Sequence, residues 1–170
     1  MIDFSVIVRK LVDSGAAKAS EVAGCTEGEI QELESAVGAK LPQVYREFLS
    51  RMGRSAGQLF LGTDIFFEHL RRGLTKGANL LLARDGKPPL PKKAFVFGMH
   101  QGYQFTFFLL GENEDPTVEG YLEKDDFSRV AGSFSEFLTQ AVEDTIRTEQ
   151  ILLERRKLVA ARRQKLPSRN

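Results

Sequence analysis

The chain has 170 residues, 42% hydrophobic and 28% charged, with a formal net charge of +1. That length suits one domain with its own core, and the composition is that of an ordinary globular protein. No apolar run approaches the roughly 20 residues that span a bilayer, and Met1-Ile2-Asp3-Phe4 lacks the basic start of a signal peptide, so a cytoplasmic protein is expected. A lone Cys25 permits no internal disulfide.

The small net charge conceals an asymmetry. From Glu149 to Asn170, seven basic residues (Arg155, Arg156, Lys157, Arg162, Arg163, Lys165, Arg169) stand against Glu149 and Glu154, a net +5 that leaves −4 for the first 148 residues. Within that part, Glu112, Glu114, Asp115, Glu119, Glu123, Asp125 and Asp126 are opposed by Lys124 alone. An acidic segment on a folded body and a basic tail are two different electrostatic surfaces.

In chain order, Val6, Ile7, Leu11 and Val12 lie at helical spacing and predict a first helix ending near Gly15, although Phe4 to Val8 would also suit an extended segment. Thr26 to Glu29 is a capping box, and Ile30, Leu33 and Val37 form one face of the helix it opens, which Gly38 can close with a left-handed turn. Pro42 suits the first position of the next helix; Val44, Tyr45, Phe48, Leu49 and Met52 form its stripe and Gly53 ends it. The short link Ala39 to Leu41 makes the pair a helical hairpin.

Gln58 to Leu61 reads as a short strand, Asp64 to Arg72 as a helix with Ile65, Phe66 and Leu70 inward, and Leu74 to Arg84 as a helix closed by Gly86. Lys87 to Pro91 is a turn. Ala94 to Met99 and Gln104 to Leu110, joined by His100 to Tyr103, predict an antiparallel hairpin. Phe105, Phe107 and Leu109 alternate with Thr106, Phe108 and Leu110, so both faces of that strand are partly apolar. Either helices cover both sides of the sheet or one face is a binding surface. Val118 to Glu123 is a third strand. Ser133 to Glu136 is a second capping box, and Phe134, Phe137, Leu138, Ala141, Val142 and Ile146 point inward from the helix that follows. Ile151, Leu152, Leu158 and Val159 extend a narrow apolar seam for about four more turns, and Leu166 to Asn170 are expected to fray. The expected organisation is one domain over residues 1–148 and a basic helical extension over 149–170.

This order, and above all Ile30-Gln31-Glu32-Leu33-Glu34, Leu41-Pro42-Gln43-Val44-Tyr45-Arg46-Glu47-Phe48-Leu49 and Met52-Gly53, resembles the SUKH superfamily of Smi/Knr-type domains. The Phe-rich hairpin, Asp115-Pro116-Thr117-Val118 and Ser133-Phe134-Ser135-Glu136-Phe137-Leu138 are similar to the family's later blocks, so the likeness runs from about Val22 to Val142. Before Gly53, where the family often has Asn, this chain has Met52. The resemblance implies an α+β fold, an antiparallel-rich sheet flanked by helices, with the hairpin near the N-terminus and a long C-terminal helix. It also implies a non-enzymatic protein-binding domain, of the kind that in bacteria serves as an immunity protein against a toxin, often a nuclease. The motif residues Thr26, Glu29, Ile30, Glu34, Leu41, Pro42, Tyr45, Phe48, Leu49 and Gly53 would be mainly structural.

A nuclease has a basic cleft, and the carboxylates between Glu112 and Asp126 would be steered towards it, which makes them the candidate partner surface; the bland alternative is a solvated loop and strand edge. The same carboxylates lack EF-hand spacing. His69 and His100 have no acidic or Cys partner at ligand spacing, so no metal or other cofactor is expected. Cys25 precedes a helix cap, where the dipole could lower a thiol pKa, but without a placed base it reads as a small filler residue. No phosphate loop or catalytic triad order emerges. The rival reading is a regulator that meets nucleic acid or an anionic membrane through the basic tail; no aromatic residue follows Phe137 to stack on bases. A solvated terminal helix, or one packed on a symmetry mate as a homo-oligomer, is the plainer account of that tail.

Overall fold

The computed structural model describes residues 2–164 of the chain. The first element, α1 (Phe4–Asp13), starts where the Asp3 carboxylate accepts the Ser5 and Val6 amides at 2.9 and 3.3 Å, which satisfies two of the amides a helix start leaves without partners. Its buried face is Phe4, Ile7 and Leu11. The expectation for Val6 and Val12 is corrected, since Val6 is exposed and Val12 half-buried. The stripe begins one turn earlier, at Phe4, and a residue one step from Ile7 points about 100° away from it.

A 3-10 turn (Ala19–Glu21) and β1 (Val22–Ala23) lead into α2 (Glu27–Val37) and α3 (Gln43–Met52). Thr26 Oγ1 accepts the Glu29 amide at 3.3 Å and Glu29 Oε2 accepts the Thr26 amide at 2.8 Å, closing a reciprocal capping box, and Gly38 ends α2 at φ 68°. Pro42 stands one place earlier than expected, as the cap before α3 with ψ 143°. Its extended ψ turns the chain into the helix.

β2 (Ser55–Ala56) pairs antiparallel with β1. The strand expected at Gln58 to Leu61 is instead a turn in which Phe60 takes φ 60°, a left-handed conformation that cannot continue a ladder. The helix expected over Asp64 to Arg72 shrinks to α4 (Phe67–Leu70), because Thr63 and Asp64 form β3; its buried residues are Ile65, Phe67 and Leu70, while Phe66 is half-buried. Then follow α5 (Leu74–Arg84), β4 (Ala94–His100), β5 (Gln104–Leu109), β6 (Val118–Leu122), β7 (Ser128–Ala131) and α6 (Phe134–Gln164).

The five strands β3-β4-β5-β6-β7 make one antiparallel sheet in simple order. The fold is α+β. One face of the sheet lies under α5 and carries Val96, Phe105, Phe107 and Tyr121 against Ala78, Leu81 and Leu82. The other, inner face carries Phe95, Phe97, Phe108 and Val118 against α1, α2, α3 and the start of α6. Both faces of β5 are therefore covered over part of its length.

At the head of α6, Ser133 Oγ accepts the Glu136 amide at 3.1 Å, while Glu136 Oε2 takes the amide of Gly132 at 2.7 Å, one residue before the cap. Phe134, Leu138 and Val142 are buried, and Phe137, Ala141 and Ile146 pack on the core from its edge. The helix continues unbroken for 31 residues, but from Gln150 to Ala161 every residue is exposed. Lys165 and Arg169 and the end Leu166 to Asn170 lie outside the described residues, as do the side chains of Arg162 and Arg163.

Candidate functional site

The inner face of the sheet has two halves. In one, the Tyr45 ring is surrounded by Phe95, Phe108 and Phe134, all edge-on with centroids at 5.5, 5.1 and 5.0 Å, and by Phe48 and Phe97 at 5.7 and 5.8 Å. Edge-to-face rings gain from the quadrupole in addition to burial. The half ends at a β-bulge: Val96 pairs with Phe107 and Gly98 with Thr106, so Phe97 is the extra residue. Phe97 and Gly98, though adjacent, both face inward.

Beyond the bulge the side chains shrink. Register places Gly98, Thr106, Gly120 and Ser128 in one row across β4 to β7. Beside Thr106 opens a cleft of about 260 Å³, walled by Phe60 and Phe137 and bordered by Thr63, His100 and Gln104. Phe60 holds its left-handed backbone by stacking on Phe137 at 5.9 Å, with 11° between ring planes. His100 Nδ1 and Thr63 Oγ1 are hydrogen-bonded at 3.0 Å, which ties the end of β4 to β3. On the rim, Leu122, opposite Gln104 in register, is 45% exposed and Val130 47%; Val130 stands where a side chain on Gly120 would be. The surface is an apolar hollow with polar edges. That is the makeup of a recognition surface.

The seven carboxylates from Glu112 to Asp126 do not form one patch. Antiparallel β6 separates them into two ends and a middle. At one end Glu114 accepts the Gln43 amide at 2.6 Å and its backbone carbonyl accepts the Val44 amide at 3.2 Å, so it caps α3. Asp115 accepts the Ser135 amide at 2.9 Å in the first turn of α6, while Glu112 is exposed. Negative side chains at these two helix starts also suit the helix dipoles. In the middle, Glu119 is half-buried and lies across from Arg129. At the other end, on the α5 side of the sheet, Glu123 pairs with Arg84 at 2.9 Å and Asp126 with Lys87 at 2.5 Å. The Lys87 partner holds Asp126 below the usual carboxylate range. Asp125 accepts the Asp126 amide. Asp85, which no sequence pattern singled out, anchors this end: its carboxylate accepts the Lys124 amide at 2.9 Å and the Tyr121 hydroxyl at 2.7 Å, and is held low by both.

The motif residues cluster at the helical hairpin and in the core. Ile30, Leu41, Tyr45, Phe48 and Leu49 are all buried, and so are Pro42, Gly53 and Met52. Met52 is fully enclosed, so the residue before Gly53 is here a core position. A Cβ on Gly53 would stand 2.6 Å from the Leu49 carbonyl and 2.7 Å from Cys25 Sγ, so close approach rather than a left-handed turn demands glycine there. Glu34 is buried at 5% exposure, yet accepts the Leu41 amide at 3.0 Å, Lys40 Nζ at 2.8 Å and Arg46 Nη1 at 2.5 Å. Burial alone would raise its pKa; the Lys40, Leu41 and Arg46 hydrogen bonds outweigh that and hold the carboxyl below the ordinary range. Arg46 also reaches Glu27 at 2.6 Å, and Glu29 pairs with Arg54. Thr26 and Glu29 serve as the cap.

Cys25 is buried, and its thiol is pushed up to about 12 first by desolvation and then by the neighbouring Glu29 charge, against the pull of the Arg54 charge. A thiol so raised is a poor nucleophile. Among the described residues no group of three or more His, Cys, Asp or Glu side chains is placed to hold a metal ion, and no helix is long and apolar enough to cross a membrane.

No individually curated protein matches the chain. The family description of the SMI1 / KNR4 family (SUKH-1) matches residues 24–140, from the glycine before Cys25 to the second turn of α6, which covers the hairpin, the whole five-stranded sheet and both halves of its inner face. The chain therefore belongs to the SMI1 / KNR4 (SUKH-1) family, and is a non-enzymatic, protein-interacting domain.

Proposed function

We propose that this protein is a cytoplasmic immunity protein, which binds a protein toxin one to one and blocks it by covering its active site. The observation that carries this reading is the open half of the sheet. A folded domain seldom leaves sheet residues such as Leu122 and Val130 exposed beside a hollow unless something else covers them. The backbone of the acidic turn Glu123 to Asp126 adjoins that hollow, since the Glu123 amide donates to the Tyr103 carbonyl at 2.8 Å; the Glu123 and Asp126 carboxylates are engaged by Arg84 and Lys87 on the α5 side, and Asp125 is the exposed acid of the turn. An apolar centre with a charged rim is the arrangement in which the centre supplies affinity and the rim supplies steering. A toxin with a basic cleft, such as a nuclease, is the partner that this rim suits. At the opposite end, Glu112, Glu114 and Asp115 form a second acidic group, two members of which are already engaged as helix caps.

The test is binding to the toxin encoded beside this protein, by calorimetry or pull-down, with three variants: Gln104→Arg in the cleft, Asp125→Lys on its rim, and Glu112→Lys at the far end. Cleft and rim substitutions are expected to weaken binding, the first through the dissociation rate and the second through the association rate. Undiminished binding in both would remove the open sheet as the docking surface. Loss in Glu112→Lys alone would move it to the far end, and a neighbouring toxin that the protein neither binds nor inhibits would end the immunity reading.

A further inference from the structure

The open half of the sheet has a chemistry as well as a shape. Its cleft of about 260 Å³ equals the liquid volume of roughly nine waters, room for one large side chain and too little for a helix about 10 Å across. One wall is aromatic, Phe60 and Phe137, and it is built before anything arrives. A left-handed backbone is unfavourable for a residue such as Phe60, yet stacking on Phe137 and the Thr63 amide, which donates to the Phe60 carbonyl at 2.9 Å, hold it there. Strain of this kind gathers where a fold presets a recognition surface.

The polar groups of the cleft are short of partners. Thr106 Oγ1 stands 2.7 Å from where a Cβ on Gly98 would be, in the space that the glycine leaves. Among the described residues the single side-chain hydrogen bond between lining residues is that of His100 Nδ1 with Thr63 Oγ1. The Thr106 hydroxyl, the Gln104 amide group and His100 Nε2 are left for an occupant. No Lys, Arg, Asp or Glu among the described residues lines the cleft, and Asp64, between Thr63 and Ile65 in the chain, pairs instead with His69 Nε2 at 3.3 Å.

A charged occupant would lose its hydration with no opposite charge to meet. An aliphatic or phenylalanine side chain would leave the Thr106 hydroxyl covered and unpaired. An indole N–H only donates, whereas a phenol hydroxyl both donates and accepts, which suits a hydroxyl, an amide and an imidazole nitrogen together. We propose that the cleft is a tyrosine socket: one tyrosine of the partner inserts with its ring against Phe60 and Phe137 and its hydroxyl among Thr106, Gln104 and His100. Leu122 and Val130, exposed beside the cleft, extend the contact beyond one side chain, so the tyrosine belongs to a protein and not to a free metabolite. The proposal rests on the toxin-binding reading for the identity of that protein and not for the socket.

NMR titration of the full chain with p-cresol, the tyrosine side chain as a free molecule, tests it. Saturable shifts are expected at the amides of Gly98, Gln104 and Thr106, with a dissociation constant on the order of 1 mM, within reach of so small a ligand. Toluene, which lacks the hydroxyl, is expected to bind about tenfold more weakly. Thr106→Val, which removes the unpaired hydroxyl and keeps the branched shape, is expected to erase most of that preference while the rest of the spectrum is unchanged. Equal binding of toluene to the wild type, tighter binding of 3-methylindole or N-methylguanidinium, or no shift at those three amides overturns the socket. The two readings fail separately. Toxin binding weakened by Gln104→Arg, with no p-cresol site, keeps the docking surface and removes the tyrosine. A p-cresol site, with toxin binding undiminished by Gln104→Arg, keeps the socket and removes the toxin as its occupant.

Discussion

The two halves of the inner sheet face are made from the same strands and differ by one bulge. On one side, Tyr45, Phe97, Phe108 and Phe134 exclude water entirely. On the other, Gly98, Thr106 and Ser128 leave a hollow. The filled half has no freedom to vary, because packed interiors respond to a change of a single methylene. The open half contributes little to the core and is free to present chemistry. On the proposed reading, stability and recognition are separated along the strands and not between domains, and measurements on single side chains can break that separation.

The largest effect is expected for Phe134→Ala, which empties the centre of the ring cluster and should cost about 4 kcal/mol in chemical denaturation. If it costs no more than a substitution in the cleft, the contrast between the halves fails. Next is Glu34→Ala, which leaves Arg46 without its buried partner and should cost about 3 kcal/mol. Glu34 also has a pH signature. Its folded pKa is depressed, so its contribution is complete above the unfolded carboxyl range, near about 4, and is lost as pH falls through the folded value. Stability of the wild type should decline in that acid window, and Glu34→Gln should flatten the decline; an unchanged acid profile would contradict the buried pair.

A smaller effect of opposite sign is expected for Tyr45→Phe. Among the described residues the buried Tyr45 hydroxyl has no hydrogen-bond partner, and desolvation pushes its pKa well up. Removing the oxygen should stabilise the fold by about 1 kcal/mol, and a destabilised variant would reveal a partner for that oxygen. The smallest effect belongs to Gln104→Arg in the open half, within about 0.5 kcal/mol of wild type, although it is expected to weaken toxin binding. A large loss of stability there would mean that the hollow is part of the core.

How far the sequence reveals these halves follows from what periodicity encodes. Helices with both ends marked, such as Thr26 to Gly38, were legible because caps and stripes are local. The Phe-rich hairpin and the sheet of β4, β5 and β6 were legible from alternation. Two-residue strands are not, since β1, β2 and β3 exist only through pairing, and Ser128 to Val130 in β7 are exposed and show no alternation. The open row was hidden for a similar reason: Gly98, Thr106, Gly120 and Ser128 are brought together by register alone, and each is unremarked where it stands in the chain. The acidic segment posed the reverse problem. Its carboxylates are close in sequence, but a strand runs through the middle of them and sends their charge to opposite ends. Asp85 left no sign beyond its position after a helix, and its role depends on where Tyr121 and Lys124 arrive.

The bulge at Phe97 also bears on how such a domain can change over generations. By inserting one residue it resets which side chains point inward, so letters beyond it are decoupled from the packing constraints before it. A lineage could rewrite Gln104, Thr106, Leu122 and Val130 while the aromatic cluster stays untouched, and Gly98 is held by the close approach of Thr106 Oγ1, 2.7 Å from where its Cβ would be. If the partner is the proposed toxin, a scaffold with that internal division can keep pace with it without having to be folded anew.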